Sequence, residues 1–266
     1  MSEARRRIAE HYAAEAEAFD QYWAPTLRLL SSALLVYLPL ERARRVVDIG
    51  CGTGGLIPSL REAVGAHRAT VFGVDLTEGM LAVAGRNTGA PLAAMAAEQL
   101  GLRDGSVDVA VFSFVLHRVG QPGEALRETA RVLAPGGAVG IVAWGQSQSA
   151  EASRIWNDEL AGLGLPSEPE MISNHAQLDA PEKLEALLGG AGFADARGWR
   201  RRFERPADRD EWLAFQLAYA SKRRLSSLTA AERAAFAGRM RARVDNLEPE
   251  AFVHRPEAVF AVGSRG

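Results

Sequence analysis

A run of glycines directly after a short apolar strand constrains this chain more than any other feature. The residues Val46-Val47-Asp48-Ile49 have the β-branched composition of a buried strand, and four glycines follow within the six residues from Gly50 to Gly55. Glycine accepts positive φ and lets a ligand approach the bare backbone, while the helix that opens after such a turn offers unpaired N–H groups. The segment therefore predicts a strand–turn–helix unit that holds a nucleotide-like ligand.

The pattern around this turn is that of an α/β domain. From residue 45 to 143, short β-branched runs alternate with longer stretches of helical period, which is typical of helices packed on a parallel sheet. The predicted strands are Val46–Ile49, Thr70–Val74, Val107–Phe114 and Ala138–Ala143. Apolar helical faces are formed by Leu56, Ile57, Leu60 and Val64, and by Leu126, Ala130 and Leu133. We expect Ala134-Pro135-Gly136-Gly137 to end the second of these helices, because proline cannot continue it.

Two acids indicate what the ligand carries. Gly50, Gly52 and Gly55 also fit the G-x-G-x-x-G pattern of dinucleotide sites, so the glycines alone leave the ligand open. Asp48 lies near the carboxyl end of its strand, where it would repel a pyrophosphate and attract an ammonium or sulfonium group. Asp75 ends the second strand, where an acid can accept both hydroxyls of a ribose, which suits either nucleotide. A cationic ligand is favoured.

The flanks of this core are mainly helical. Residues 3–19 and 24–38 predict two amphipathic helices, and 145–179 is a polar segment expected to connect or cover rather than build the sheet. Further helices are predicted at 181–191, 208–220 and 229–243, with a final strand at 258–262. The arginines from Arg197 to Arg205 alternate with Trp199 and Phe203, which favours a solvated edge strand over an acidic-substrate site.

Composition excludes several classes of function. With 31 Lys and Arg against 33 Asp and Glu, the net charge is −2, which predicts no nucleic-acid partner and no attraction to an anionic membrane. The single cysteine, Cys51, excludes an internal disulfide and favours a reducing compartment. The amino terminus is charged rather than apolar. The longest apolar stretch, 27–40, is too short to span a bilayer and contains Arg28, two serines and Pro39. We expect a cytoplasmic protein.

An ordered series of motifs identifies the family. The segments Val46 to Gly54, Gly73 to Leu81, Ala97 to Leu100, Asp104 to Asp108, Phe114 to His117 and Glu128 to Gly137 occur in one order through residues 45–143. In this respect the chain resembles the class I S-adenosylmethionine-dependent methyltransferases, in the small-molecule group related to the ubiquinone and menaquinone methyltransferases. The set is far more specific than any single motif. Weaker similarity extends into the flanks.

The resemblance implies a fold and a cofactor site. The fold is a Rossmann-like α/β architecture with a seven-stranded, mostly parallel sheet, an antiparallel last hairpin, helices on both faces and helical lid elements. Residues 1–44 would form a helical cap, 45–145 the cofactor-binding core, and 146–266 a covering segment, lid helices and final strands of the same domain. The implied cofactor is S-adenosyl-L-methionine, with candidate ligands Asp48, Gly50, Cys51, Gly52, Asp75, Leu76, Met80, Ala97, Glu98, Ser113 and Phe114.

Some of these residues have particular roles in the family pattern. The Gly50 turn is implied to contact the methionine part, Asp75 the ribose, and Leu76 and Met80 the adenine. Family members often have an acid before the Ala-Glu pair, whereas Ala96 stands there in this chain. Adenine recognition is therefore expected to use the backbone around Ala97 and the side chain of Glu98.

His117 is the candidate catalytic base, because it follows the fourth strand at the edge where open α/β sheets bind ligands. A helix-start or packing role is the alternative. Candidate substrate residues in the flanks are Tyr12, Tyr22, Trp23, Trp144 and His175, for each of which packing is the competing interpretation. The apolar stripe of the second helix, including Leu34, also has docking on the core as its simpler explanation. No cluster of His, Asp or Glu has the spacing of a metal site, so no metal is expected.

These observations favour one function and leave alternatives. The leading hypothesis is methyl transfer by in-line displacement from S-adenosylmethionine to oxygen, carbon or nitrogen of a small, apolar metabolite. A protein of this fold that binds the same cofactor can instead act as a non-methylating cyclase or isomerase, or as a non-enzymatic sensor, because fold does not determine chemistry. An NAD-dependent enzyme is a more remote alternative. The substrate itself is not encoded in the motifs.

Overall fold

The fold centres on one sheet of seven strands. The computed structural model describes residues 3–65, 69–146, 149–165 and 171–266. In space the strands have the order β3-β2-β1-β4-β5-β7-β6. They are β1 (Arg45–Ile49), β2 (Thr70–Asp75), β3 (Leu92–Ala94), β4 (Val107–Ser113), β5 (Leu133–Trp144), β6 (Phe193–Arg202) and β7 (Glu257–Arg265).

Helices connect and flank these strands. In the described residues they are α1 (Glu3–Tyr22), α2 (Ala24–Ser32), α3 (Ile57–Val64), α4 (Glu78–Thr88), α5 (Pro122–Val132), α6 (Glu151–Gly162), α7 (Pro181–Gly190), α8 (Arg209–Phe215), α9 (Lys222–Leu225) and α10 (Ala230–Val244). A π-helical segment, Gln216–Ala220, follows α8. No helix in the described part of the chain has the length and apolarity needed to cross a membrane.

The sheet pairing places the glycine turn at a topological switch point. Strand β1 pairs in parallel with β2 on one side and with β4 on the other, so the chain leaves β1 and β4 in opposite directions across the sheet. Ligands bind at the carboxyl ends of strands where the order reverses in this way. Strand β7 runs antiparallel to β5. This is consistent with a mostly parallel sheet whose last strands are antiparallel. The predicted fold class is confirmed.

The described chain divides into two compact units. The first comprises residues 1–145, 171–201 and 258–266, and its core consists of buried Val, Ile, Leu and Ala side chains of the sheet with those of α5 and α7. The second comprises 146–170 and 202–257, and its core contains Trp156, Trp212 and Phe236. Trp156 is 1% exposed and its indole N–H donates to Ser221 Oγ (2.9 Å), so packing explains this residue.

Several predicted element boundaries were wrong. The helix predicted at 24–38 ends at Ser32 and continues as a 3₁₀ turn, Leu35–Tyr37, before Pro39. The helix expected to stop at Pro135 ends at Val132, and β5 begins at once. The strands at β1, β2, β4, β5 and β7 are confirmed within a few residues, and β6 is the predicted edge strand. Gly145–Asp179 contributes no strand among its described residues, which exclude 147–148 and 166–170.

Candidate active site

The turn after β1 requires glycine. Gly50, Gly52 and Gly54 have φ of +73°, +54° and +79°, in the left-handed region that side chains disfavour. A Cβ on Gly50 would also lie 2.2 Å from Val115 Cγ2, far inside contact distance. The turn therefore packs tightly against the segment that follows β4.

Backbone and acid hydrogen bonds fix the shape of this turn. The N–H groups of Gly50 and Cys51 donate to the carbonyl of Val74 (2.7 and 3.0 Å). Asp75 accepts from Gly52 N through Oδ2 (2.9 Å) and from Thr77 N through Oδ1 (2.8 Å). The side chain of Thr77 and the backbone of Leu76 also act on this carboxylate as hydrogen-bond donors. Burial raises the pKa of Asp75, and these backbone hydrogen bonds oppose that effect.

Asp48 is a buried acid without a full set of partners. Its side chain is 1% exposed, and its Oδ1 accepts no hydrogen bond from the described residues. Burial, followed by the nearby Asp75 carboxylate, raises the pKa of Asp48 to about 7. An unsatisfied buried acceptor is costly unless a ligand completes it. The position suits a cationic or hydrogen-bond-donating group.

The glycine turn, β1 and the amino-terminal helices line a small cavity of about 40 Å³ that is partly open to solvent. Phe19, Ala24, Leu27 and Arg28 line it from the helical side, while Asp48, Ser113 and residues 50–53 line it from the sheet. The lining includes a second buried atom without a partner, Thr53 Oγ1. Cys51, also in the lining, packs its sulfur against Gly73 of β2, and burial raises the pKa of the thiol.

The predicted adenine-side residues lie on α4 and after β3. Met80 is 2% exposed and packs with Ala16 and Val83, while Leu76 is half-buried at the end of β2. Glu98 forms an ion pair with Arg5 (2.7 Å), and Ala97 beside it is half-buried.

Glu98 has a second contact besides Arg5. Its Oε1 accepts from the backbone N–H of Gln121 at 3.3 Å. The carboxylate therefore already joins α1 to the start of α5, in addition to any contact with a ligand.

An aromatic cluster follows β4 and β5. Phe114 has φ +52°, a strained conformation for a residue with a side chain, and its ring centroid lies 4.1 Å from that of Trp144. Trp23 also stacks on Trp144, with the ring centroids 5.7 Å and the ring planes 27° apart. Next to this cluster, Ser113 Oγ and Ser31 Oγ are hydrogen-bonded at 2.6 Å. The structure thus brings together four of the predicted ligand and substrate residues, which are Phe114, Ser113, Trp23 and Trp144.

His117 lies in a 3₁₀ turn, Leu116–Arg118, directly after Phe114 and Val115. Burial, with smaller effects from Arg118 and His175, lowers the pKa of His117 to about 3. The imidazole is therefore neutral at physiological pH. The backbone N–H of Asn174 donates to the His117 carbonyl (2.9 Å), which places the turn containing His175 beside this segment.

The remaining predicted residues occupy packing positions. Tyr12 packs, partly buried, with Ala16 and Met80 and meets Phe19 edge to face at 6.2 Å. Tyr22 is half-buried at the end of α1. On α2, Leu30 is 1% exposed, and just beyond it Leu34 packs against Gly140 of β5, so docking explains much of this stripe. Among the described residues, no group of three or more His, Cys, Asp and Glu forms a metal-binding cluster.

Sequence reasoning missed three residues at the site: Arg28, Thr53 and Ser31. Thr53 stands inside the glycine motif, so its position was a readable signal. Arg28 and Ser31 reach the turn only through the packing of α2, which no local pattern encodes.

The fold and this site define a nucleotide-cofactor enzyme of the methyltransferase type. A sequence profile described as a methyltransferase domain matches residues 47–141, which run from β1 through most of β5. The YcgJ protein of Bacillus subtilis has a similar fold, with a TM-score of 0.52 and 19% identity over 88% of this chain and 96% of that one.

Named relatives complete the assignment. The chain is 30% identical to the demethylmenaquinone methyltransferase of Corynebacterium kroppenstedtii over 59% of its own length and 70% of the relative's. It is 27% identical to the malonyl-[acyl-carrier protein] O-methyltransferase of a Marinomonas species, over 73% and 72% of the two chains. The chain belongs to the small-molecule S-adenosylmethionine-dependent methyltransferases, in the group of the ubiquinone and menaquinone methyltransferases.

S-adenosylmethionine is accordingly the cofactor, and the site fits it. The glycine turn leaves the backbone bare, and the unpartnered oxygen of Asp48 offers an acceptor for a positively charged group. Asp75 lies at the end of the adjacent strand β2, where its carboxylate contacts the same turn through Gly52 N.

Proposed function

We propose that this enzyme methylates a small apolar acceptor that lies against the aromatic cluster of Phe114, Trp144 and Trp23. The observation that carries the proposal is the left-handed backbone of Phe114, at φ +52°. Such strain costs about 1–3 kcal/mol and persists where the surroundings enforce it, often at ligand sites. Here it holds the phenyl ring 4.1 Å from Trp144, so that both rings form one apolar wall after β4 and β5.

Bound cofactor would supply an electrophilic methyl group on a sulfonium. We infer that Asp48 holds the positive charge of the methionine end, Asp75 accepts from the ribose hydroxyls, and Leu76 and Met80 enclose the adenine. Ala97 and Glu98 complete the adenine side. In-line displacement depends chiefly on positioning, and well-oriented reactants can reach effective molarities of ~10⁵ M or more.

His117 gives a reason to favour acceptors that ionise by themselves. A general base works best with a pKa near the working pH, whereas burial, Arg118 and His175 hold the pKa of His117 at about 3. We infer that the neutral imidazole orients the acceptor by accepting a hydrogen bond, and that a phenol or an activated carbon supplies its own nucleophile. This role in orientation replaces the predicted role of His117 as a general base.

An acceptor panel tests the proposal. Phenolic and activated-carbon acceptors of apolar character are expected to yield S-adenosylhomocysteine, with kcat/KM following the acceptor's own pKa. Trp144→Ala is expected to raise KM for these acceptors by about tenfold through loss of aromatic contact, with a smaller change in kcat. Trp199→Ala, on edge strand β6, is the matched control and should leave KM unchanged.

Two results would contradict the proposal. The first is a preference for charged aliphatic acceptors. The second is a pH profile in which kcat/KM falls as an enzyme group with a pKa near 6.5 becomes protonated, whichever acceptor is used. The described residues offer no observation that favours a non-methylating cyclase or a cofactor sensor.

A further inference from the structure

A segment far along the chain is hydrogen-bonded to the turn that carries His117. The turn, Leu116–Arg118, follows β4, and the segment comprises residues 171–178, hereafter the docked segment. Leu178 at its end is 1% exposed and belongs to the main core of the first unit. The docked segment is therefore anchored in the same unit as the turn.

Three hydrogen bonds join the docked segment to the turn, and they run in both directions. Asn174 donates through its backbone N–H to the His117 carbonyl (2.9 Å) and through its side-chain Nδ2 to the Val119 carbonyl (2.6 Å). In return, Arg118 Nη1 donates to the carbonyl of Ile172 (2.9 Å). Because Asn174 bonds on both sides of Arg118, a rotation of the turn relative to the segment would break at least one of these bonds.

The side chain of Asn174 is itself held in place. Its Oδ1 accepts from Gln177 Nε2 (3.2 Å), and its backbone carbonyl accepts from Gln177 N (2.9 Å). The carbonyl that receives its Nδ2 belongs to Val119, a residue of the main core that is 7% exposed. Buried carbonyl groups are hydrogen-bonded as a rule, and Asn174 supplies a donor to this one.

The docked segment contributes to the environment of the His117 imidazole. Burial is the largest of the effects that lower the pKa of His117 to about 3, and the charges of Arg118 and His175 add to it. His175 belongs to the docked segment, and it also acts on Asp179, whose pKa is lowered chiefly by a hydrogen bond from Lys183. The bonds that hold the segment therefore keep His175 near His117.

We propose that Asn174 and Arg118 are positioning residues for methyl transfer: they hold the docked segment against the turn and so fix the His117 imidazole that orients the acceptor. The proposal rests on the orienting role proposed above for His117. It adds two residues that lie outside the glycine turn and outside the aromatic cluster. Misplacing a reacting group by about 1 Å can cost about a hundredfold in rate, even when the altered residue lies away from the chemistry.

A kinetic comparison tests the role of Asn174. Without the Nδ2 donor the joint loosens, water reaches His117, and its pKa rises towards the ordinary 6.5. A protonated imidazole only donates hydrogen bonds, so it cannot orient the acceptor as the neutral ring does. With a phenolic acceptor, Asn174→Ala is expected to lower kcat about tenfold at pH 8. Its kcat/KM relative to the wild type should fall further from pH 8 to pH 5, while the affinity for S-adenosylhomocysteine stays unchanged.

Histidine NMR of the ligand-free protein gives a readout that does not depend on the acceptor. The His117 signal, assigned by its loss in His117→Gln, should titrate below pH 4 in the wild type and at least about one pH unit higher in Asn174→Ala. Asn174→Asp has the same size but cannot donate to the Val119 carbonyl, so it should show a rise of the same size or larger. Arg118→Lys keeps a cation and a donor and should retain most of the wild-type kcat.

The outcomes separate positioning from a general structural role. Asn246→Ala removes an exposed asparagine of the second unit and should match the wild type in kcat, pH profile and His117 titration. An unchanged His117 titration in both Asn174 variants would overturn the proposal, whatever the change in kcat. A loss of S-adenosylhomocysteine affinity as large as the loss of kcat would also overturn it. If the wild type methylates no phenolic or activated-carbon acceptor, the proposed function fails, whereas the NMR titration still decides whether Asn174 positions His117.

Discussion

At the scale of single residues, Asp48 shows a conflict between stability and ligand binding. A carboxylate near the carboxyl end of a buried parallel strand has lost water and gained the repulsion of Asp75, and its pKa rises from 3.8 to about 7. A valine at position 48, like Val46 and Val47 beside it, would suit the buried strand β1 better. The acid is explained by the ligand rather than by the fold, as is common where function opposes stability.

The pH dependence of stability follows from this shift. Below pH 4 Asp48 is protonated in both folded and unfolded chains, so it has no effect. Between pH 4 and 7 only the folded chain holds the proton, so stability falls as pH rises, and above pH 7 the full penalty applies. A shift of about three pKa units corresponds to roughly 4 kcal/mol.

Asp48→Asn is therefore expected to stabilise the ligand-free protein at pH 8 while weakening S-adenosylmethionine. The difference in unfolding free energy between variant and wild type should grow from pH 4 to pH 8, as measured by denaturant unfolding. Asp108→Asn is the control with opposite sign. Asp108 accepts hydrogen bonds from the backbone N–H groups of Arg44 and Arg45, which help to lower its pKa, so that variant should be destabilised by a constant amount above pH 4 and by less as the pH falls below 4. A pH-independent difference for Asp48→Asn would contradict the assignment.

At the scale of elements, the amino-terminal helices cover the cofactor turn. Phe19 of α1 lies 3.6 Å from where a Cβ of Gly52 would stand, and Ala24 of α2 is equally close to Gly55. Ser31 and Ser113 join α2 to β4. The cavity at the turn, about 40 Å³, is far below the roughly 300–1,000 Å³ of ordinary ligand sites. We therefore expect α1 and α2 to move away from the turn when the cofactor enters.

A reversible crosslink would test this movement. The Ser31 and Ser113 oxygens are 2.6 Å apart, so a Ser31→Cys/Ser113→Cys variant is expected to form a disulfide on oxidation. The oxidised variant should bind S-adenosylhomocysteine at least about tenfold more slowly, and reduction should restore the rate. The single variant Ser31→Cys under the same oxidant is the control, since the native Cys51 is buried. An unchanged binding rate in the crosslinked protein would show that the cofactor enters without this motion.

The same elements explain what the sequence could and could not predict. The strands β1, β2 and β4 have dense β-branched runs, and Asp48 with the glycines is a local pattern, so both were predicted. Strand β3 has three residues, too few to show any period. Ser31 and Ser113 are 82 positions apart in the sequence, and their hydrogen bond forms only once α2 has packed on the sheet. The position of Arg28 beside the turn depends on the same packing. Local patterns encode the turn, whereas tertiary packing assembles its cover.

At the scale of the whole molecule, the chain forms two units with separate cores. The sequence predicts a core at 45–145 followed by covering segments, and the first unit gathers that core with 1–44, 171–201 and 258–266. Strand β7 belongs there because it pairs with β5 along seven residue pairs, from Ala138↔Ser264 to Trp144↔Ala258. The second unit has its own aromatic core around Trp156. The glycine turn and all the proposed cofactor residues lie in the first unit.

This division predicts how ligand binding changes stability along the chain. A ligand that binds only the folded state stabilises it by RT ln(1 + [L]/Kd), about 2.7 kcal/mol at a hundredfold excess over Kd. Native-state hydrogen exchange with S-adenosylhomocysteine should show an increase of that size in β1, β2 and β4, and none in α6 and α10. Asp48→Asn with the same ligand concentration is the control and should show less protection in the strands. Because local stability follows cooperative units, equal protection of α6 and α10 would mean that the two units unfold as one.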